Sequence, residues 1–151
     1  MPALNRSRPR RLAAAVCSMT RGELIHERLT HSVIGAFFEV YNTLGYGFLE
    51  QTYLSALTLE LRERGHIVDR EVKVRVRYKA TEIGWQRPDM IVDHALVVEV
   101  KSTTELHTSA RRQLLSYLCA TRLELGLLLH FGATASFYRL VGGAEAGSLN
   151  G

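Results

Sequence analysis

Residues 87–102 constrain the fold of this chain more than any other stretch. Two short apolar runs flank a turn-like Asp-His pair, which is the pattern of a tight β-hairpin. If the hairpin closes around residues 93–95, Asp89 on the first strand comes opposite Glu99 on the second. Glu99 and Lys101 are two positions apart, so they project from the same face of their strand. The sequence therefore predicts two carboxylates and a lysine close together at one end of the hairpin.

Such a group of side chains is suited to chemistry on phosphates. Hard divalent cations prefer oxygen ligands, and Mg²⁺ is commonly held by one or two carboxylates together with water and substrate phosphate. A metal can activate a water molecule, and a nearby lysine can stabilise the charge that builds on the phosphate. Acids and lysines are also common where strands emerge into solvent. Spacing alone favours a solvent-exposed strand end, so the neighbouring motifs have to distinguish this interpretation from a metal site.

Three motifs in a fixed order resemble one family of enzymes. Pro-Asp at 88–89 followed by Glu-Val-Lys at 99–101 resembles the PD-(D/E)xK signature of restriction-endonuclease-like nucleases. Gly-Phe-Leu-Glu-Gln-Thr-Tyr at 47–53 matches the motif that names the bacterial GxxExxY family. Gln-Leu-Leu-Ser-Tyr at 113–117 matches the QxxxY helix that follows the active-site lysine in many of these nucleases. The chain is identified as a member of the GxxExxY family on these residues.

The resemblance implies an α/β fold with a restriction-endonuclease-like core, in which a mixed central β-sheet is flanked by α-helices. It covers roughly residues 23–141, which predicts a single nuclease-like domain, and a length of 151 residues agrees with one domain. The arginine-rich segment 1–22 is predicted to be a flexible basic tail. The Gly- and Ala-rich segment 142–151 is predicted to be a second flexible tail.

The resemblance also implies a metal site for Mg²⁺ or Mn²⁺. Its ligands would be the side chains of Asp89 and Glu99, the carbonyl of Val100, and Glu50 as a supplementary carboxylate. Glu50 has a second explanation, because an acid in the first turn of a helix is stabilised by the helix dipole. The same dipole would keep Glu50 ionised, which also suits a ligand.

Four residues are assigned to catalysis by the same resemblance. Lys101 would position water and stabilise the charge on the phosphate, and Glu50 would assist from its helix. Gln113 would hydrogen-bond the attacking water or a phosphate, while Tyr117 would brace Gln113. The spacing of four places Gln113 and Tyr117 on one helix face.

Basic residues offer candidate contacts to nucleic acid. Between Glu71 and Lys79, apolar and basic residues alternate, which predicts a half-buried strand whose outer face carries Lys73, Arg75 and Arg77. Such a face contacts phosphates or protects a sheet edge from aggregation, and protection is the commoner role.

Two further features near the motifs are relevant to nucleic acid. Arg111 and Arg112 begin the helix predicted over 108–121 and are candidate phosphate contacts. Trp85 is predicted in the turn before Asp89, where its indole either stacks on a base or closes the core. Closing the core is the expected outcome.

Composition excludes some classes of function but does not identify one. Four of the 19 basic residues lie in the first eighteen positions, which contain no acid, so the remainder balances the 15 acids and global charge is no argument for DNA binding. Two cysteines are too few for a disulfide framework or a cysteine zinc site, which fits a reducing cytoplasm. No apolar run approaches the ~18 residues of a membrane span.

The sequence thus predicts a metal-dependent nuclease with DNA as the expected substrate. Two alternatives stay open. One is a catalytically silent module on the same fold that binds nucleic acid or a protein. The other is an accessory subunit whose substrate channel forms only in a homodimer or with another protein.

Overall fold

The computed structural model describes residues 21–142, and this part of the chain forms three helices and seven strands. The helices are α1 (Arg21–Leu44), α2 (Glu50–Glu63) and α3 (Thr108–Thr121). The strands are β1 (Val68–Arg70), β2 (Val74–Tyr78), β3 (Thr81–Gln86), β4 (Met90–Val92), β5 (Leu96–Lys101), β6 (Leu125–Phe131) and β7 (Ala135–Val141). The predicted tails lie outside the described residues, except for residues 21–22, with which α1 begins, and residue 142.

Five strands form a mixed central sheet in the order β1-β4-β5-β6-β7. Strands β5 and β6 are parallel because α3 carries the chain back across the sheet between them, and every other neighbouring pair is antiparallel. Helices α1 and α2 pack on one face of the sheet, and α3 packs on the other. The predicted α/β architecture with a mixed sheet flanked by helices is confirmed.

The β4–β5 hairpin has the predicted register. Met90 pairs with Val98, which continues to Asp89 opposite Glu99. Three residues separate the paired Val92 and Leu96, and the first two of them, Asp93 and His94, have left-handed φ angles of 51° and 55°. The first of these residues is tied down by its own side chain, since Oδ1 of Asp93 accepts a hydrogen bond from the backbone N–H of Ile67 at 2.8 Å.

Alternation along β5 sorts its side chains into the two layers. Val98 and Val100 pack in the layer of α1 and α2, whereas Val97 packs beneath α3. Glu99 and Lys101 have the same parity as Val97, so they project into the α3 layer. The fold therefore places a carboxylate and an ammonium group in an otherwise apolar layer, at the carboxyl end of β5.

Strands β2 and β3 form a separate two-stranded ribbon outside the central sheet. The strand predicted over 71–79 is shorter because Glu71 and Lys79 take left-handed φ values of 49° and 53°. The alternation between Glu71 and Lys79 puts Tyr78 on the apolar, inward face of the predicted strand, yet it is 63% exposed because it lies at the ribbon's turn end. The expectation that Trp85 closes the core from a turn is wrong, since this residue lies in β3 and is 50% exposed.

No helix within residues 21–142 has the length and apolar character needed to cross a membrane. Cys119, the only cysteine of that range, is a free and exposed thiol.

Candidate active site

Asp89 lies at the point where the β4–β5 ladder stops. Strand β4 begins one residue later, and the Asp89 side chain replaces a backbone acceptor there, because its Oδ2 accepts the N–H of Val100 at 2.8 Å. The Val100 side chain is fully buried on the α1 and α2 side. Val100 therefore contacts Asp89 through its backbone N–H, and its role as a carbonyl ligand stays a prediction.

Glu99 is the most deeply buried acid in the described part of the chain, with 3% of its surface exposed. Its Oε1 lies 3.2 Å from Nζ of Lys101, and its Oε2 has no hydrogen-bond partner. Burial, followed by the charge of Asp89, raises the pKa of Glu99 to about 7, although Lys101 opposes the rise. The site thus holds a carboxyl group that is uncharged in part at neutral pH and incompletely satisfied.

The carboxyl groups of Asp89 and Glu50 both interact with Lys101, and the charge of Asp89 also acts on Glu50. Burial raises the pKa of Asp89, against the Val100 N–H and the charge of Lys101. Burial and then the charge of Asp89 raise the pKa of Glu50, while Lys101 and the backbone N–H of Ser102, which donates to the Glu50 carboxylate, lower it. The structure therefore brings Glu50, Asp89 and Lys101 within electrostatic reach of one another. Nevertheless, no three His, Cys, Asp or Glu side chains between residues 21 and 142 are grouped so as to hold a metal by themselves.

The loop before α2 explains how Glu50 is positioned. Gly45 and Gly47 have φ angles of 74° and 110°, values that side chains other than glycine rarely adopt. The hydroxyl of Tyr53 donates to the carbonyl of Gly45 at 2.6 Å and accepts the N–H of Phe48 at 3.2 Å. Tyr53 is fully buried, so it fastens the loop to the core and fixes where α2 begins, at Glu50.

Gln113 and Tyr117 approach the carboxylates from α3. Nε2 of Gln113 donates to the Tyr117 hydroxyl at 2.7 Å, so the predicted bracing contact is present. Burial, followed by the charge of Glu99, raises the pKa of Tyr117 to about 12, which keeps the phenol neutral. Gln113 and Lys101 line a cleft of about 190 Å³, so both are accessible from solvent, and Lys101 lies 3.2 Å from the buried carboxyl of Glu99.

Two residues near the site were not predicted. His130 on β6 lies in register with Lys101, and its buried ring is 2.6 Å from the carbonyl of Thr103 in the loop after β5. Arg70 on β1 lowers the pKa of Asp89 by its charge. His130 could be noticed from sequence, because it is a polar residue within the otherwise apolar run 125–131. No sequence pattern marks Arg70, because strand β1 was not predicted.

A basic groove of about 910 Å³ is lined by residues of α2, β1, β4 and α3 and of the β2–β3 ribbon, but not by Glu50, Asp89 or Glu99. Its cations come from α2, β1 and the β2–β3 ribbon, and they are Arg62, Arg70, Lys73, Arg75 and Arg77, against a single acid, Asp69. Ile91 is part of its lining and is two residues from Asp89 on the same face of β4. The part of the groove at Ile91 therefore lies on the same face of the sheet as Asp89 and Glu99.

The remaining predicted phosphate contacts lie elsewhere. The guanidinium carbon of Arg111 is 3.7 Å from the ring centroid of Tyr138 on β7, so Arg111 points toward the opposite edge of the sheet. Arg112 is exposed on α3. Neither residue lines the basic groove.

Comparison with known proteins bears on the fold and on the family of the chain. Among solved structures, the chain is similar to the crystal structure of SSO0001, at 17% identity and with a TM-score of 0.52. That match covers 64% of this chain and 51% of the other, so it spans about half of SSO0001 and bears on the fold alone. A search of curated proteins finds no match.

A family model described as the PD-(D/E)XK nuclease superfamily matches residues 27–140. That span contains α2, the β4–β5 hairpin and α3, the three elements that supply the carboxylates, Lys101 and Gln113. Membership of the narrower GxxExxY family stays a prediction, because the matching model is that of the superfamily. On this match over most of its length, the chain belongs to the PD-(D/E)XK nuclease superfamily.

Proposed function

We propose that the protein is a metal-dependent nuclease that hydrolyses phosphodiester bonds of DNA. The observation that carries the proposal is the state of Glu99, a buried carboxyl beside Asp89 and Lys101 whose Oε2 has no partner. A buried polar atom without a partner costs free energy, and the charge of the part-buried Asp89 beside it adds to that cost. A bound divalent cation would relieve both costs.

The donor set fits Mg²⁺ or Mn²⁺. Asp89 and Glu99, with the carbonyl of Val100, offer only oxygen atoms, which these ions prefer. Glu50 would supplement them from α2. Because the described residues hold no ready group of three acidic ligands, water and a substrate phosphate would complete the coordination, as is usual for Mg²⁺. The ion, when bound, would activate water and neutralise charge on the phosphate.

The remaining site residues would act on the water and the phosphate. Lys101 is partly exposed at the cleft, so its ammonium can turn from Glu99 toward a phosphate oxygen. Gln113 also lines the cleft and can orient a water molecule with its amide. Tyr117 holds Gln113 in place through the 2.7 Å hydrogen bond.

The proposed substrate path is the basic groove. Lys73, Arg75 and Arg77 line it and would contact phosphates, which matches the electrostatic and sequence-independent way that proteins hold a nucleic-acid backbone. Arg112 is free to contact a phosphate near the start of α3, whereas Arg111 would first have to leave Tyr138. DNA is chosen by analogy with the superfamily, and the free thiol of Cys119 is consistent with activity in a reducing cytoplasm.

The test is cleavage of labelled DNA and RNA, single- and double-stranded, with Mg²⁺, Mn²⁺ or EDTA. We expect cleavage with metal only, and losses of at least about 100-fold in Asp89→Asn and Lys101→Ala. Glu105→Gln, in the exposed loop after β5, is the matched control and should cut like wild type. Circular dichroism establishes that each variant is folded.

Two outcomes would replace the proposal. If wild type binds but never cuts, the protein is a binding module on a nuclease fold. If it cuts only at concentrations where a mass measurement shows a dimer, or only with an added protein, it is one subunit of a larger enzyme. Equal cutting by the Asp89→Asn variant would place the active site elsewhere.

A further inference from the structure

We propose that the β2–β3 ribbon holds an unpaired nucleotide, with the indole of Trp85 stacked on its base. This inference deepens the proposed function and rests on it, because it names single-stranded nucleic acid as the preferred substrate class. The occupant is defined by its chemistry, which is a free base face with a phosphate on either side. Single-stranded DNA and RNA both have that chemistry.

Trp85 lies on the outer face of the β2–β3 ribbon. It pairs across the ribbon with Arg75, so the two side chains project from the same face. The opposite face of the ribbon is occupied, because Gln86 bonds Ser116 of α3 at 3.1 Å and Val72 packs against the α3 layer. Trp85 therefore stands on the outer face of the ribbon and is half exposed, although an indole is usually buried when a core is available.

Two cations lie close to the Trp85 ring. Nζ of Lys73 lies 4.8 Å from the Trp85 ring, and the guanidinium carbon of Arg87 lies 5.0 Å from it. Exposed cation–π contacts are weak, whereas stacking of a base on an aromatic ring is stronger and tolerates any base. A base can therefore displace a cation from the ring. The displaced Lys73 or Arg87 is then already placed to pair with the neighbouring phosphate.

The chain around Trp85 connects its ring to the basic groove and to the candidate active site. Lys73 and Arg75, the two residues next to the indole, also line the basic groove. Trp85 precedes Asp89 by four residues, which span at most about 14 Å when fully extended. A base on Trp85 and a phosphate near Asp89 thus belong to one short path. Bases inside a duplex are stacked on both faces, so only an unpaired base can use the ring.

Fluorescence tests the stacking directly, because Trp85 is the only tryptophan in the chain. The protein is titrated in EDTA with a single-stranded DNA 12-mer, the RNA of the same sequence, the blunt DNA duplex and inorganic polyphosphate. We expect quenching by the single strands and none by polyphosphate. The single strand that binds more tightly identifies the preferred sugar.

Variants separate stacking from charge, with affinity measured by anisotropy of labelled oligonucleotides. Trp85→Ala should weaken single-strand binding about 5- to 100-fold and duplex binding less than about 2-fold, while Trp85→Phe should keep most of the affinity. Ile83→Ala, at an exposed position of the same strand, is the matched control. Circular dichroism checks the fold of all three variants.

Quenching by polyphosphate equal to that by the single strands would overturn the inference, and so would unchanged single-strand affinity in Trp85→Ala. Binding in EDTA is independent of hydrolysis, so the two proposals fail separately. If wild type cuts with metal but Trp85→Ala binds normally, only the stacking site is wrong. If single strands quench Trp85 but nothing is cut, the nuclease proposal is wrong and the stacking site stands.

Discussion

The carboxyl group of Glu99 occupies a position that the fold otherwise gives to apolar side chains. On the same face of β5 lies Val97, and the neighbouring residue on β6 is Leu128, both of which are fully buried. A buried carboxyl prefers its neutral form, and Asp89 nearby strengthens that preference. Glu99 is therefore retained at a cost in stability, which is typical of a residue kept for function.

The raised pKa of Glu99 predicts how stability depends on pH without metal. The native state binds more protons than the unfolded state between the ordinary pKa of 4.5 and the native value of about 7. The free energy of unfolding should therefore fall as pH rises through this window, by on the order of 3 kcal/mol from this group. Urea denaturation at pH 5, 6, 7 and 8 in EDTA measures it.

Glu99→Gln removes this titration, so the variant should lose most of the decline and be more stable than wild type at pH 8. Asp89 and Glu50 also have raised pKa values, so a smaller decline of the same sign should remain. Glu105→Gln, an exposed acid, should behave like wild type. A wild-type protein that becomes more stable between pH 5 and 8 would contradict the assigned burial.

At the scale of elements, the loop from Gly45 to Leu49 decides where α2 begins. Tyr53→Phe removes a hydroxyl that serves two backbone groups of this loop and leaves no cavity. We expect a loss of about 1–3 kcal/mol in the free energy of unfolding. Because Glu50 follows the loop directly, cleavage should fall about 10- to 100-fold under conditions where the variant is folded.

Tyr78→Phe is the matched control, since this tyrosine is exposed at the tip of the ribbon and its change should affect neither quantity. Denaturation and initial cleavage rates are measured on the same preparations. A destabilised Tyr53→Phe protein that cuts at the wild-type rate would show that the loop serves stability alone.

The elements differ in how far their sequences predict them. The helix at Thr108–Thr121 has a periodic apolar pattern, and its predicted and observed bounds agree, while the strand at Leu125–Phe131 has a nearly continuous apolar pattern. Strands β1 and β3 were missed because their sequences, Val-Asp-Arg and a largely exposed Thr-Glu-Ile-Gly-Trp-Gln, lack an apolar face. Their pairing with neighbouring strands makes them strands, and a single sequence does not display that pairing.

The residues of the candidate site also differ in how far the sequence predicts their positions. Asp89 opposite Glu99 followed from the hairpin register, because a turn of known length fixes every pair beyond it. Arg70 could not be placed near Asp89 from sequence, since their proximity depends on pairing between β1 and β4. The exposure of Trp85 depended likewise on a ribbon that leaves the central sheet.

At the scale of the whole molecule, the numbers of acidic and basic residues are nearly balanced, but several basic residues are concentrated in one groove. Outside the first eighteen residues, acids and bases are equal in number, yet five cations and one acid line the basic groove. We predict that the combined change Lys73→Ala, Arg75→Ala and Arg77→Ala lowers the slope of log affinity against log salt for single-stranded DNA by about 2. Arg28→Ala, an exposed position on α1, should leave the slope unchanged.

Anisotropy titrations in EDTA between about 50 and 200 mM salt cover the range where such slopes are measured. Equal slopes for the triple variant and wild type would remove the groove from the binding surface. A change in slope at Arg28 would move that surface to the α1 side.

The placement of Glu50 and of the β5 residues in different layers has a consequence for when the protein becomes active. Glu50 belongs to the α1 and α2 layer, Glu99 and Lys101 project on the other side, and Gln113 comes from α3. On the proposed function, a partly folded chain holds some of these groups but never the assembled set. Synthesis delivers Glu50 first and Gln113 last, so a nascent chain cannot cut the nucleic acids around the ribosome before the domain has closed.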